Sequence, residues 1–198
     1  GRLGRHFRSD VAAATLAAAP CASAGVAESW YLARGRANMK IDNYAAAIEA
    51  YESALRANPR SREASRGVGV ARLRNGETDR AVADFDRHLA AFPDDADIVF
   101  EQARLLQWSR YAYRSRDAIR YLGMGLALRD DPARRRELAR LLGRDRATLD
   151  EALAEYERLL RQTPGDAALR EERLRLLLWD PRHRDAAVRE LEARVREH

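Results

Sequence analysis

The four histidines, His6, His88, His183 and His198, are scattered and have no partners at metal-ligand spacing, and Cys21 is the only cysteine. An internal disulfide and a cysteine-based metal cluster are therefore excluded. No Gly-x4-Gly-Lys phosphate loop, His-Glu-x-x-His zinc motif or Gly-x-Ser-x-Gly elbow occurs, so phosphoryl transfer, zinc hydrolysis and acyl transfer all lack the residues they need. His88 falls inside a helical pattern and reads as a packed or hydrogen-bonded side chain. No catalytic residue, metal or cofactor is expected, and the chain reads as a non-enzyme. What remains is the chemistry of recognition. Arginine can grip a carboxylate through two parallel N–H donors, and tryptophan supplies contact area; the chain has 36 Lys and Arg, of which only Lys40 is lysine, together with three Trp.

Those arginines are balanced by 31 acidic residues, leaving a formal net charge of +5 and a sequence pI near 9.8. The balance permits an acidic partner or nucleic acid. The two signs interleave, as in Asp79-Arg80, Asp86-Arg87 and Glu157-Arg158, so pairing along solvated helix faces accounts for most of the charge. The near-absence of lysine beside abundant alanine reads as a GC-rich coding sequence rather than selection for phosphate contacts.

The elements that must position these side chains are helices. In Asn43 to Pro59, Tyr44, Ala47, Ile48, Tyr51, Ala54 and Leu55 recur at the spacing of one helical face, Asn43 can cap the first turn, and Pro59 stops the helix. The pattern returns: Ala47-x3-Tyr51, Ala81-x3-Phe85, Ala118-x3-Leu122, Ala152-x3-Tyr156 and Ala187-x3-Leu191 put successive alanines 34, 37, 34 and 35 residues apart. A period of that length means an array of repeats. Few Phe and Trp beside much Ala favour thin layers of helix packed through small residues. No run reaches the ~18 apolar residues of a membrane helix.

In chain order, residues 1–26 stand apart. Arg2, Arg5 and Arg8, the small-residue run Val11 to Ala19 and Ala22-x-Ala24 imitate a secretory signal; the preferred reading is a short helix over about 10–19 that packs on the first repeat. Helical hairpins follow: Val26 to Lys40 with Asn43 to Asn58; Ser61 to Arg74 with a Thr78-capped helix to Ala91, turning at Asn75-Gly76; a helix from Asp94-Asp95 with one over about 116–128, joined by the long connection Ser109 to Ser115; a helix from Asp131-Pro132 to Gly143 with one capped by the box Thr148-Leu149-Asp150-Glu151; and a helix from Asp166 with a final one from about Arg184. Gly123 and Gly125 weaken their helix unless it packs very closely. The final helix is expected to bury Ala187, Val188, Leu191 and Val195 and to show Arg189, Glu190, Glu192 and Arg196.

These units resemble the tetratricopeptide repeat family. Tyr31, Gly35, Ala47, Tyr51, Ala54 and Pro59 stand at the family spacing, as do Gly69, Ala81, Phe85 and Pro93. Later units are looser, with Ala103 and Ala139 as the small residues, Asp130 in place of a proline and Leu174 where a small residue belongs. The resemblance implies an all-α, right-handed α-solenoid of about five helix-turn-helix repeats, over about 27–60, 61–94, 95–130, 131–165 and 166–198, plus the extra N-terminal helix. It also implies that first helices line a concave groove for a peptide or helix. The residue after each small position then reads Arg36, Val70, Arg104, Arg140 and Arg175, with Arg66, Arg74 and Arg136 nearby and Trp108 and Trp179 four residues beyond two of these arginines. The expected partner is another protein, through an acidic segment carrying an aromatic or aliphatic anchor. Leu32 and Arg36 replace the Lys and Asn with which some family members clamp chaperone tails, which argues against that role. Two alternatives are a periplasmic helical arm of a cell-envelope or polysaccharide-export system and an RNA-binding helical array, so the location is cytoplasmic or periplasmic. The RNA reading lacks paired base-reading residues and interleaved aromatics.

Overall fold

A computed structural model describes residues 24–197. The expected helix over 10–19 lies outside the described residues, as does the signal-like segment up to residue 23; its last residues, 24–26, begin the first helix. Among the latter are ten α-helices, three short 3-10 helices and no strand. They form two compact units, divided between Ala91 and Phe92.

The first unit holds α1 (Ala24–Lys40), α2 (Tyr44–Ala57), α3 (Arg62–Arg74) and α4 (Thr78–Ala91). α1 packs on α2, α2 on α3, and α3 on α4. The side-chain oxygens of Asn43 and Ser61 accept from the amides of Ala46 and Ala64, each at 3.3 Å, and so satisfy orphan donors of α2 and α3. Gly76 takes φ +82° in the α3–α4 turn, the left-handed conformation that Asn75-Gly76 foretold. Thr78, expected to cap α4, is instead its first residue, because the Ala81 amide already bonds to the Glu77 carbonyl.

The core of this unit is a ring held between two backbones. A Cβ at Gly35 of α1 would lie 2.6 Å from the Tyr51 ring, and one at Gly67 of α3 would lie 2.8 Å from it. Tyr51 is buried beside Ala47, Ile48, Val68 and Ala71. Small residues on both neighbours thus leave the slot that the aromatic fills, which is why the small and aromatic positions repeat in phase. Gly69 serves Phe85 in the same way. His88 is buried against Ser65 Oγ, 2.8 Å from its Nδ1, in accord with its reading as a hydrogen-bonded core residue.

The second unit holds α5 (Ala96–Leu105), a 3-10 segment (Ser109–Arg114), α6 (Ser115–Leu128), α7 (Pro132–Leu142), a 3-10 turn (Arg146–Thr148), α8 (Leu149–Gln162), α9 (Ala167–Trp179), a 3-10 turn (Pro181–His183) and α10 (Arg184–Glu197). Each α-helix packs on the next. Asp95, Asp131 and Asp166 cap α5, α7 and α9 through their side chains. The long connection after α5 is the 3-10 segment, with Tyr111 buried and Tyr113 exposed.

Three expectations fail here. Thr148 makes no capping bond; its hydroxyl donates to the carbonyls of Leu142 and Asp145, while Asp145 caps the 3-10 turn that precedes α8. Of the four residues expected to be buried, α10 buries Ala187 and leaves Val188, Leu191 and Val195 exposed, because no described helix covers that face. Glu190, expected on the exposed face, turns inward to pair with Arg173 of α9.

Candidate partner-binding surface

In the first unit Arg36 is exposed on α1 and pairs with Glu63 of α3. Arg66 is half-buried and lines a cleft of about 190 Å³ with Met39, Tyr51, Glu63, Gly67 and Val70. Arg74 is exposed at the end of α3. These three expected groove residues therefore lie on or beside the α1–α3 surface, and Arg36 is already neutralised.

In the second unit the arginines sort into three groups. Arg136 and Arg140, one turn apart on α7, converge on Glu172 of α9. Arg136 donates through Nε and a terminal nitrogen at 3.2 and 2.7 Å, and Arg140 through the same pair at 3.2 and 2.5 Å. The Tyr156 hydroxyl donates to the same carboxylate at 2.9 Å. Burial pushes the Glu172 carboxyl up, but the bonds from Arg136, Arg140 and Tyr156 outweigh it and bring it from 4.5 to about 2. The Tyr156 hydroxyl is pushed up, first by burial and then by its bond to that carboxylate. Arg104 forks onto Glu101 of its own helix at 3.0 and 2.6 Å, and its guanidinium carbon lies 5.8 Å from the Trp108 ring centroid. Arg175 reaches outward to Glu171 at 2.5 Å.

Trp108 and Trp179 are both exposed rather than core residues. Trp179 sits under Arg146, from the α7–α8 connection, at 5.2 Å. Most of the expected groove arginines pair with carboxylates of this chain, and the structure brings together Arg136 with Arg140 and Arg104 with Trp108.

One recurring feature escaped the sequence reading. Asp84, Glu155 and Glu190 each precede the bulky residue of a second helix, and each pairs with an arginine of its hairpin's first helix: Arg72 with Asp84 at 2.6 Å, Arg135 with Glu155 at 2.6 Å, and Arg173 with Glu190. Burial works against the Arg72 charge, but the hydrogen bond and charge of Asp84, together with the charges of Glu52 and Glu77, raise its pKa overall. The available signal was an acid directly before Phe85, Tyr156 and Leu191. Read as surface charge, it was instead a lock between the helices of a hairpin.

Among the described residues no group of His, Cys, Asp and Glu is arranged to hold a metal ion, and no helix is long and apolar enough to cross a membrane.

Residues 32–96 match the family model described as Tetratricopeptide repeat. The helices of both units and the solved structures that resemble the chain agree with an all-α, tetratricopeptide-like fold. Similar solved structures include MamA (19% identity, TM-score 0.61, covering 85% of this chain and 90% of that one). Another is YrrB, described as a TPR protein with an unusual peptide-binding site (20% identity, TM-score 0.62, 82% and 81% covered). A third is MamA 41-end from Desulfovibrio magneticus RS-1 (15% identity, TM-score 0.57, 84% and 92% covered). At these identities the likeness shows the fold alone. None of the curated proteins matches this sequence.

Proposed function

We propose that this chain is a protein-interaction scaffold that holds an acidic partner segment against the α7–α9 surface, as one component of a larger assembly. The observation that carries the reading is the convergence of Arg136 and Arg140 on one carboxylate. Two guanidinium forks side by side form a carboxylate clamp, and Glu172 demonstrates the fit. Arg140 is half-exposed, so its outward N–H donors can meet a second, incoming carboxylate. The exposed indoles of Trp108 and Trp179 offer contact area for an aromatic or aliphatic anchor. The peptide-binding site ascribed to YrrB is consistent with this use of the fold.

The test is fluorescence anisotropy with a labelled peptide of alternating Glu and Leu residues and its Gln-for-Glu counterpart. Arg140→Ala should weaken the acidic peptide by about 1 kcal/mol, the value for an ion pair that water partly screens. Glu172→Gln, which removes the internal competitor, should strengthen it. Equal binding of the two peptides, or no opposed effect of the two substitutions, would refute the acidic-segment reading.

A further inference from the structure

A second docking surface is formed by α10 and the end of α9, away from the arginine clamp. Leu178, Val188, Leu191 and Val195 are 57, 46, 40 and 79% exposed. Val188, Leu191 and Val195 line an open groove of about 480 Å³ together with Glu192 and Arg196. Isolated exposed aliphatics are ordinary, but a contiguous stripe marks an interaction site.

The rest of the array shows what such a stripe holds. Thirty-five residues separate equivalent positions of α8 and α10, as they do the caps Asp131 and Asp166. Val188 is thus the counterpart of Leu153, Leu191 of Tyr156, and Val195 of Leu160. Leu153 and Tyr156 are 7 and 2% exposed, because α9 lies over them: Leu153 clusters with Leu174 and Leu177, and Tyr156 with Leu169, with Leu160 packed alongside. In the first unit, Ile48, Tyr51 and Leu55 of α2 occupy the same positions and are packed with Val68 and Ala71 of α3. Leu178 fits the scheme as well, since it corresponds to Gly143, whose Cβ would meet Leu176 of α9 at 2.9 Å. Glu192 completes it, because its counterpart Glu157 pairs with Arg173 of the covering helix at 3.3 Å.

We infer that the α10 face is a docking site for an amphipathic helix of a partner protein, laid on α10 as α9 lies on α8. The chemistry of that helix follows from α9: leucine-like residues spaced as Leu169, Leu174 and Leu177, and a basic residue at the position of Arg173 to meet Glu192.

The probe is a labelled peptide with the sequence of residues 166–179, added in trans to the 198-residue chain. Saturable binding is expected, weakened about tenfold or more by Leu191→Glu in the chain and unchanged by Arg140→Ala, which separates this face from the clamp. Arg173→Glu in the peptide should weaken binding and Glu192→Lys in the chain should restore it, a reciprocal effect that misfolding cannot imitate. Absence of saturable binding, insensitivity to Leu191→Glu, or failure of the charge swap to restore would overturn the inference. A dimer in sedimentation velocity that Leu191→Glu dissolves would overturn it too, by placing a second copy on the face.

Discussion

Gly123 and Gly125 lie two residues apart on α6, and the same substitution at each should act with opposite sign. In a helix interior Gly is disfavoured relative to Ala by about 1 kcal/mol, chiefly through backbone entropy. At Gly123 a new Cβ meets nothing within 4 Å, so Gly123→Ala should recover most of that and stabilise the second unit by about 0.5–1 kcal/mol. At Gly125 the Cβ would lie 2.5 to 2.8 Å from three carbons of the Phe100 ring, nearly 1 Å inside ordinary contact. Phe100 is buried, with the guanidinium groups of Arg129 and Arg134 over it at 5.4 and 5.7 Å, so the ring cannot swing aside freely. Overpacking of this kind costs about 1–3 kcal/mol, which outweighs the gain in propensity and leaves Gly125→Ala destabilising by about 1 kcal/mol. Urea unfolding followed by far-ultraviolet circular dichroism measures both. If Gly125→Ala raises the midpoint as much as Gly123→Ala does, the close packing of α5 against α6 is not as described.

Glu172 should make stability depend on acid. Its folded value of about 2 lies below the ordinary 4.5, so its contribution is complete above pH 4.5 and lost as pH falls towards 2. The gap, at 1.36 kcal/mol per pH unit, caps the effect near 3 kcal/mol; screening around the half-exposed Arg140 reduces it to about 1–2 kcal/mol. Wild type and Glu172→Gln should therefore differ at pH 7 and converge by pH 2 in denaturant titrations, and a constant difference would contradict the sign. Removing Arg136 and Arg140 together should also destabilise the chain, since it strands this carboxylate. Asp84→Ala, which takes from the largely buried Arg72 its buried partner, should cost roughly 3 kcal/mol, and Asp84→Leu with Arg72→Met should recover most of it; calorimetry of the two variants beside the wild type decides. Asp131→Ala removes the acceptor for the amides of Ala133 and Arg134 and should lower stability by about 1 kcal/mol, whereas Thr148→Ala should cost no capping energy at α8.

Local and periodic features were legible in the sequence alone. Asn43, Asp95 and Asp131 cap where they were expected, Ser61 and Asp166 open helices where they were expected, and Gly76 turns left-handed, since a cap or a turn is decided within four residues of chain. The repeat was legible for a related reason: an alanine and a bulky residue one turn apart mark a face that must meet another helix, and equivalent faces recur at a fixed period. What meets those faces was decided by tertiary structure. The two arginines that grip Glu172 stand 36 and 32 residues away from it, a distance at which no pairing rule operates, so which carboxylate each one meets was not legible in the sequence. Thr148 matched a capping box but lost the role when the 3-10 turn before α8 offered its hydroxyl two carbonyls. The stripe of α10 carries the same pattern as α2 and α8 but remains exposed, because amphipathicity specifies that a face prefers to be covered, while only the placement of another helix determines that it is.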